Sequence, residues 1–81
     1  MRLQVLYFAA TRDLVGIDDE QVVLEGSATV AGLSEHLQQR HPALRDRLSA
    51  VRFAVNEQFA QPALELCDGD VVALIPPTAG G

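Results

Sequence analysis

The chain has 81 residues, 48% of them hydrophobic and 21% charged, so it is expected to fold as one small domain rather than remain disordered. Its formal net charge is −5, and an acidic surface disfavours binding to nucleic acid or to an anionic membrane. The apolar runs are too short for a membrane span or a secretion signal, and a lone cysteine fits a reducing compartment, so a cytoplasmic location is expected.

The first part of the sequence predicts two strands joined through a short helical turn. Residues Leu3 to Ala9 are rich in β-forming residues and apolar on both faces, which favours a central strand. Ala10 to Val15 is predicted to form a short helical turn that ends at Gly16. Asp18 to Glu20 is interpreted as a solvated acidic turn, and Gln21 to Glu25 as the second strand.

The main helix is predicted to begin after Thr29 and to stop before Pro42. Thr29 is a suitable N-cap, and proline cannot continue a helix. Between them an apolar stripe recurs at helical spacing, formed by Val30, Leu33 and Leu37.

The rest of the sequence predicts a short second helix over residues 43–49 and then three strands. The strands are expected at Arg52–Asn56, Gln58–Gln61 and Val71–Ile75. A tight turn at Asn56-Glu57 joins the first two, and the Asp68-Gly69-Asp70 turn precedes the last, which is apolar throughout and therefore central. This order of elements predicts an α+β fold with a mixed sheet packed on one main helix.

The sequence contains none of the common catalytic or metal-binding motifs. His36 and His41 are five residues apart, on different faces of a helix, so we interpret them as surface or cap residues. Cys67 has acidic neighbours, which disfavour a reactive thiolate. Asp68 and Asp70 are interpreted as turn residues, because two carboxylates alone make a poor cation site.

The strongest functional signal is the ending Pro76-Pro77-Thr78-Ala79-Gly80-Gly81. The two prolines end the last strand and favour an extended backbone. We therefore expect a folded domain over residues 1–77 and a flexible tail over residues 78–81, with the α-carboxylate of Gly81 as its reactive group. Glycines lack side chains, so this carboxylate can pass through a narrow channel into another protein's active site. A tail of small residues without a function is the alternative.

Together these segments resemble the ubiquitin-like sulfur carriers, and most closely the small subunits of molybdopterin synthases. The resemblance runs along nearly the whole chain and is carried by Leu3–Ala9, Arg12–Gly16, Thr29-Val30, Ala54-Val55-Asn56, Asp68-Gly69-Asp70 and Ile75–Gly81. It implies a β-grasp fold in which the first and last strands pair in parallel at the centre of the sheet.

The resemblance also implies that Gly81 carries sulfur as a thiocarboxylate. In the family, an E1-like enzyme adenylates the terminal carboxylate with ATP, and sulfur from a persulfide donor then displaces AMP. The thiocarboxylate enters the large subunit of the synthase, a heterotetramer, and donates sulfur to the pterin precursor in molybdenum cofactor biosynthesis. The chain is thus expected to bind no permanent cofactor or metal, and to be the sulfur-donating subunit rather than an enzyme alone.

Several further residues are implied to contact these partners. Gly80 gives Gly81 access to the partner's active site, and Phe59 and Ile75 lie where the family places apolar contacts. The family usually has an aromatic residue at the position of Ile75, and Phe59 also fits an ordinary core position. The remaining residues implied to contact the partners are the four that directly precede the two glycines: Pro76, Pro77, Thr78 and Ala79.

Two other functions stay open at this point. A carrier for thiamine or another sulfur pathway would use the same chemistry, although thiamine carriers tend to be shorter and usually lack the two prolines. A ubiquitin-like modifier or binding module is the second alternative. The sequence has no lysine, which excludes self-linked chains through lysine but not attachment to other proteins.

Overall fold

The computed structural model describes residues 1–77, which form one mixed sheet with two helices. The elements in chain order are β1 (Arg2–Tyr7), α1 (Ala9–Val15), β2 (Asp19–Val23), α2 (Val30–Arg40), β3 (Arg52–Val55), β4 (Gln58–Ala60) and β5 (Val71–Ile75). A single 3-10 turn, Pro42–Leu44, follows α2. The strand order across the sheet is β2-β1-β5-β3-β4.

The first and last strands lie side by side and run in parallel inside the sheet. Gln4 pairs with Val71 and Tyr7 with Leu74, while β2 and β3 pair antiparallel on the outer sides of β1 and β5. Both strands therefore have a neighbour on each edge. The parallel central pair and the α+β class are confirmed, and they give the β-grasp arrangement that the resemblance implies.

Alternate residues of β1 and β5 form the core with α2. Side chains on this face are almost completely removed from solvent, each at most 2% exposed: Leu3, Val5, Tyr7, Leu33, Leu37, Val72 and Leu74. Burial of these apolar side chains is the main source of stability in so small a domain. We call this the closed face of the sheet, because α2 covers it.

Helix α2 begins and ends where its sequence signals indicate. Thr29 Oγ1 accepts a hydrogen bond of 3.1 Å from the backbone N–H of Gly32, which satisfies one of the free donors in the first turn. At the other end, the N–H of His41 donates to the carbonyl oxygen of Leu37. Neither α1 nor α2 has the length and apolar character needed to cross a membrane.

Two local predictions are wrong. The acidic segment is not a solvated turn, because Asp19 and Glu20 belong to β2 and Glu20 is tied to side chains of other elements. The second helix shrinks to the turn Pro42–Leu44, where Leu44 is fully buried and anchors the segment to the core. Asp46 then has φ 63°, a left-handed backbone that cannot continue a right-handed helix.

Candidate functional site

The face of the sheet opposite α2 carries an apolar groove with a cavity volume of about 580 Å³. Its apolar lining consists mainly of Leu6, Phe8, Phe59, Val71, Ala73 and Ile75. These residues of β1 and β5 alternate with the core residues of the same strands, since successive side chains of a strand point to opposite faces. We call this surface the open face.

Large apolar side chains on the open face are exposed to solvent. Phe59 is 56% exposed and Phe8 48% exposed, although both line the groove. In a small protein, a contiguous apolar patch of this kind marks an interaction surface. The structure thus places Phe59 and Ile75, both proposed from the sequence, in one groove, and it excludes the core position considered for Phe59.

The chain leaves the sheet directly beside this groove. Strand β5 ends at Ile75, after which Pro76 is half-buried and Pro77 exposed. Neither proline can donate a ladder hydrogen bond, so the strand cannot extend through them. The other predicted site residues, Thr78, Ala79, Gly80 and Gly81, lie outside the described residues. The described part of the site is therefore the groove and the point from which the chain departs.

Phe8 and Leu6 are groove residues that the sequence reasoning did not single out. Phe8 is held in place by Thr11, whose Oγ1 accepts a hydrogen bond from the Phe8 N–H and donates one of 2.6 Å to the Phe8 carbonyl oxygen. Thr11 is only 1% exposed, so this local clamp is fixed in the fold. Simple alternation along β1 could have found both residues, because they share the parity opposite to Val5 and Tyr7.

The Phe59 ring, which lines the groove, has a cation stacked on it. The guanidinium carbon of Arg52 lies 3.6 Å from the centroid of the Phe59 ring, the geometry of a cation–π contact. Arg52 is paired in register with Ile75, at the end of β5 from which the chain leaves. This contact holds the exposed Phe59 ring on one side.

One end of the groove is formed by the turn at Asn56 and Glu57. The Asn56 amide nitrogen donates to Asp70 Oδ1 at 2.9 Å, and its amide oxygen accepts from the N–H of Val71 at 3.0 Å. Asp70 Oδ2 in turn accepts from the N–H of Cys67 at 2.8 Å. Asp70 thus stabilises the two loops, in agreement with its interpretation as a turn residue.

A polar cluster around Glu20 lies apart from the groove lining. Glu20 accepts hydrogen bonds from Tyr7 Oη at 2.6 Å and Arg40 Nε at 2.6 Å, and His41 Nε2 lies 2.5 Å from its Oε2. Burial alone would raise the pKa of Glu20, but the bonds from Tyr7, His41 and Arg40 outweigh it and hold this pKa below its usual value. Burial, with the bond to Glu20, raises the pKa of Tyr7.

The Glu20 cluster joins β1 and β2 to the end of α2, so its role is structural. His41 acts here as the cap of α2 and packs edge-on against the Tyr7 ring. Over residues 1–77, no group of three or more His, Cys, Asp or Glu side chains is placed to hold a metal ion. The feature of residues 1–77 that is suited to binding another protein is the exposed apolar surface of the open face.

Comparison with known proteins shows that this chain is similar to sulfur carrier subunits over its full length. The family model described as the ThiS family matches residues 5–81. The molybdopterin synthase sulfur carrier subunit of Mycobacterium tuberculosis is 40% identical over 82 residues, which cover 100% of this chain and 99% of that protein.

Solved structures with a similar fold include a small archaeal modifier protein and a subunit within a complex. The crystal structure of SAMP1 from Haloferax volcanii superposes with a TM-score of 0.91 at 27% identity and covers 100% of both chains. Subunit 1 or 2 in the complex of the molybdopterin-converting factor from Helicobacter pylori matches with a TM-score of 0.72 at 23% identity, again covering 100% of both chains. At that identity, the second match is informative about the fold alone.

Proposed function

Because this chain belongs to the ThiS family and is similar over its full length to sulfur carrier subunits, we propose that it is the sulfur-carrier subunit of a molybdopterin synthase. Its reactive group is the C-terminal carboxylate of Gly81, converted to a thiocarboxylate. Gly80 gives access, and no side chain of this chain needs to act as acid, base or nucleophile.

The observation that carries the proposal is the apolar groove beside the departing chain. A carrier needs a surface that a partner recognises and a reactive end that reaches the partner's active site. Phe59 and Ile75 supply the surface, and the sequence from Pro76 to Gly81 supplies the reaching segment. Four residues beyond Pro77 span roughly 13 Å when extended, long enough to enter a buried site.

Sulfur loading requires activation, because a carboxylate is a poor electrophile. An E1-like enzyme binds the same chain and uses ATP to adenylate the Gly81 carboxylate, with release of pyrophosphate. The outer sulfur of a persulfide donor then attacks the acyl carbon, and AMP leaves. A thiol supplied by the activating system attacks the donor sulfur of the resulting acyl disulfide, forms a disulfide with the donor and releases the thiocarboxylate. ATP is bound by the activating enzyme, and the only group this chain holds is the covalent sulfur. The proposed location of these steps is the cytoplasm.

The large synthase subunit is the partner that accepts the loaded carrier. The net charge of −5 suits a basic partner surface, which would also attract a phosphorylated pterin precursor. The open face supplies exposed apolar area for a stable contact, and the partner contacts extend to Pro76, Pro77, Thr78 and Ala79. The 40% identity to the molybdopterin synthase sulfur carrier subunit of Mycobacterium tuberculosis, named as one subunit of a synthase, supports this division of labour.

The intact mass of the chain tests the sulfur-carrying step. After incubation with the activating enzyme, ATP and a persulfide donor, the mass should change by the difference between one sulfur and one oxygen. A variant lacking Gly81 is the control and should keep its mass. An unchanged mass of the full chain under conditions that load a known carrier would contradict the proposal.

A second candidate, a protein modifier of the ubiquitin-like type, is favoured by the close superposition with SAMP1. A modifier would be recovered as an amide-linked adduct on other proteins, whereas a sulfur carrier would not.

Complementation distinguishes a carrier for thiamine from a carrier for molybdopterin. Strains that lack either the molybdopterin carrier or the thiamine carrier are supplied with this chain. Growth restored only in the first strain supports the proposed function.

A further inference from the structure

We infer that two charged side chains, Glu57 and Arg52, give the groove a polarity that fixes the orientation of the docked partner. The inference rests on the proposed function, because the partner it concerns is the large synthase subunit. That partner is expected to place a basic side chain against Glu57 and a carboxylate against Arg52. The two residues mark opposite ends of the groove, beside the first and last residues of β5.

Glu57 occupies a backbone conformation that its residue type disfavours. Its φ is 71°, and that of Asn56 is 50°, so both central residues of the two-residue hairpin between β3 and β4 are left-handed. This is the pattern of a type I′ turn, which strongly prefers glycine at the position of Glu57. A strained non-glycine residue at a binding surface is a reason to look for a role of its side chain.

The Glu57 side chain is available to a partner and held in a defined place. It is exposed and lines the rim of the groove. Among residues 1–77 no salt bridge involves Glu57. The Asn56 side chain fixes the turn to the start of β5 through Asp70 and Val71, so the carboxylate is carried by an anchored loop rather than a mobile one.

Arg52 supplies the opposite charge at the other end. Its guanidinium is stacked on Phe59, which orders the side chain while leaving its edge donors free to bind a carboxylate. It too takes part in none of the salt bridges found within residues 1–77. Strand β3 separates Arg52 from Val55 by roughly 10 Å at about 3.3 Å per residue, and Glu57 lies beyond Val55 in the turn.

Polarity matters because apolar contact has little directional preference. A partner could cover the open face in either direction along β5, but the chain leaves only after Ile75, at the Arg52 end. Docking in the reverse direction would point the departing segment away from the partner's active site. Opposite charges at the two ends of the groove stabilise one docking orientation of the partner. They destabilise the reverse orientation, because like charges would then face each other.

The inference is tested by affinity for the purified large subunit from the same organism, measured by calorimetry with the full chain at low and high salt. Glu57→Gln and Arg52→Gln should each weaken binding about fivefold at low salt, and the loss should shrink as salt screens the charges. Glu35→Gln is the matched control, because Glu35 is an exposed residue of α2, on the other side of the sheet. It should bind as the wild type does.

The exchange variant Arg52→Glu with Glu57→Arg keeps the net charge and reverses the polarity. It should bind at least 50-fold more weakly than the wild type, more than the two neutral variants predict together. Glu57→Gly serves as the folding control: it relieves the strained backbone, so it should melt at a higher temperature and still bind less tightly.

The outcomes separate this inference from the proposed function. Suppose that Phe59→Ala weakens binding while the charge variants and the exchange variant bind as the wild type does. In that case the partner docks in the groove, but Glu57 and Arg52 do not set its orientation, and the inference is overturned. If the wild-type chain does not bind the large subunit at all, the proposed function fails and the polarity fails with it.

Discussion

The closed and open faces of the sheet are built from the same strands, but one face is buried and the other is open to solvent. In β1, Val5 and Tyr7 are buried under α2, while Leu6, between them, lines the groove. In β5, Val72 and Leu74 are buried, while the residues that alternate with them line the groove: Val71, Ala73 and Ile75. One side of each strand is covered by this chain's own helix, and the other side lines an open groove.

The difference shows that apolar character alone does not distinguish a core from a docking site. Both faces are apolar, and what separates them is whether the chain supplies a covering element. Residues of the closed face should therefore control the free energy of unfolding. Residues of the open face should control affinity for the partner, with little effect on unfolding.

The largest effect is expected on the closed face, from Leu33→Ala. Leu33 is fully buried in α2, and truncation of such a residue leaves a cavity that lowers the free energy of unfolding by about 3 kcal/mol. That is a large share of the stability of a small domain. Urea denaturation measures it, and a loss below about 1 kcal/mol would show that α2 does not carry the core as described.

A smaller effect on unfolding, with a larger effect on docking, is expected from Phe59→Ala on the open face. Phe59 is 56% exposed, so its truncation should change the free energy of unfolding by less than about 1 kcal/mol. The same change should weaken binding to the large subunit about tenfold or more, because aromatic residues that a partner buries are typical hot spots. Unaltered affinity for the large subunit, or a large loss of stability, would contradict the claim that open-face residues control docking rather than folding.

The effect that is confined to part of the pH range concerns the Glu20 cluster, which ties the edge strand β2 to the closed side of the fold. Because the pKa of Glu20 is lowered in the folded state, its contribution to stability is present above its unfolded value and is lost as the pH falls through the folded value. Glu20→Gln should lower the free energy of unfolding by about 1–2 kcal/mol at neutral pH. Once the pH has fallen below the folded pKa of Glu20, the difference from the wild type should disappear.

Urea denaturation of both proteins between pH 7 and pH 3 checks this prediction. The difference between the two curves isolates Glu20 from the other carboxylates, which titrate alike in both. Parallel curves over the whole range would mean that the Glu20 charge contributes nothing to the fold. The raised pKa of Tyr7 adds an alkaline limit: the contribution of its neutral hydroxyl is present below its unfolded value and is lost as the pH rises toward the folded value.

Much of the fold could be predicted because its signals are local. Apolar character on both faces of the segments around Val5 and Leu74 indicated two central strands, and Thr29 with Pro42 bounded the helix. Resemblance added the parallel pairing and the exposed position of Phe59, which sequence periodicity alone could not distinguish from a core position.

The remaining features depend on contacts between distant residues. The acidic segment looked solvated because nothing in its own sequence reveals Tyr7, Arg40 and His41, which meet Glu20 only in the folded chain. The strained backbone of Glu57 is likewise imposed by the hairpin that closes around it. Local propensity gives way to tertiary context at both places.

The division between the two faces is tested most directly by backbone amide chemical shifts of the full chain on addition of the large subunit. The largest changes should fall on the open face, at Phe8, Phe59 and Ile75, whereas the exposed side of α2 around Glu35 should stay unchanged. If the changes instead cluster on α2 and leave the groove residues unperturbed, the open face is not the docking site.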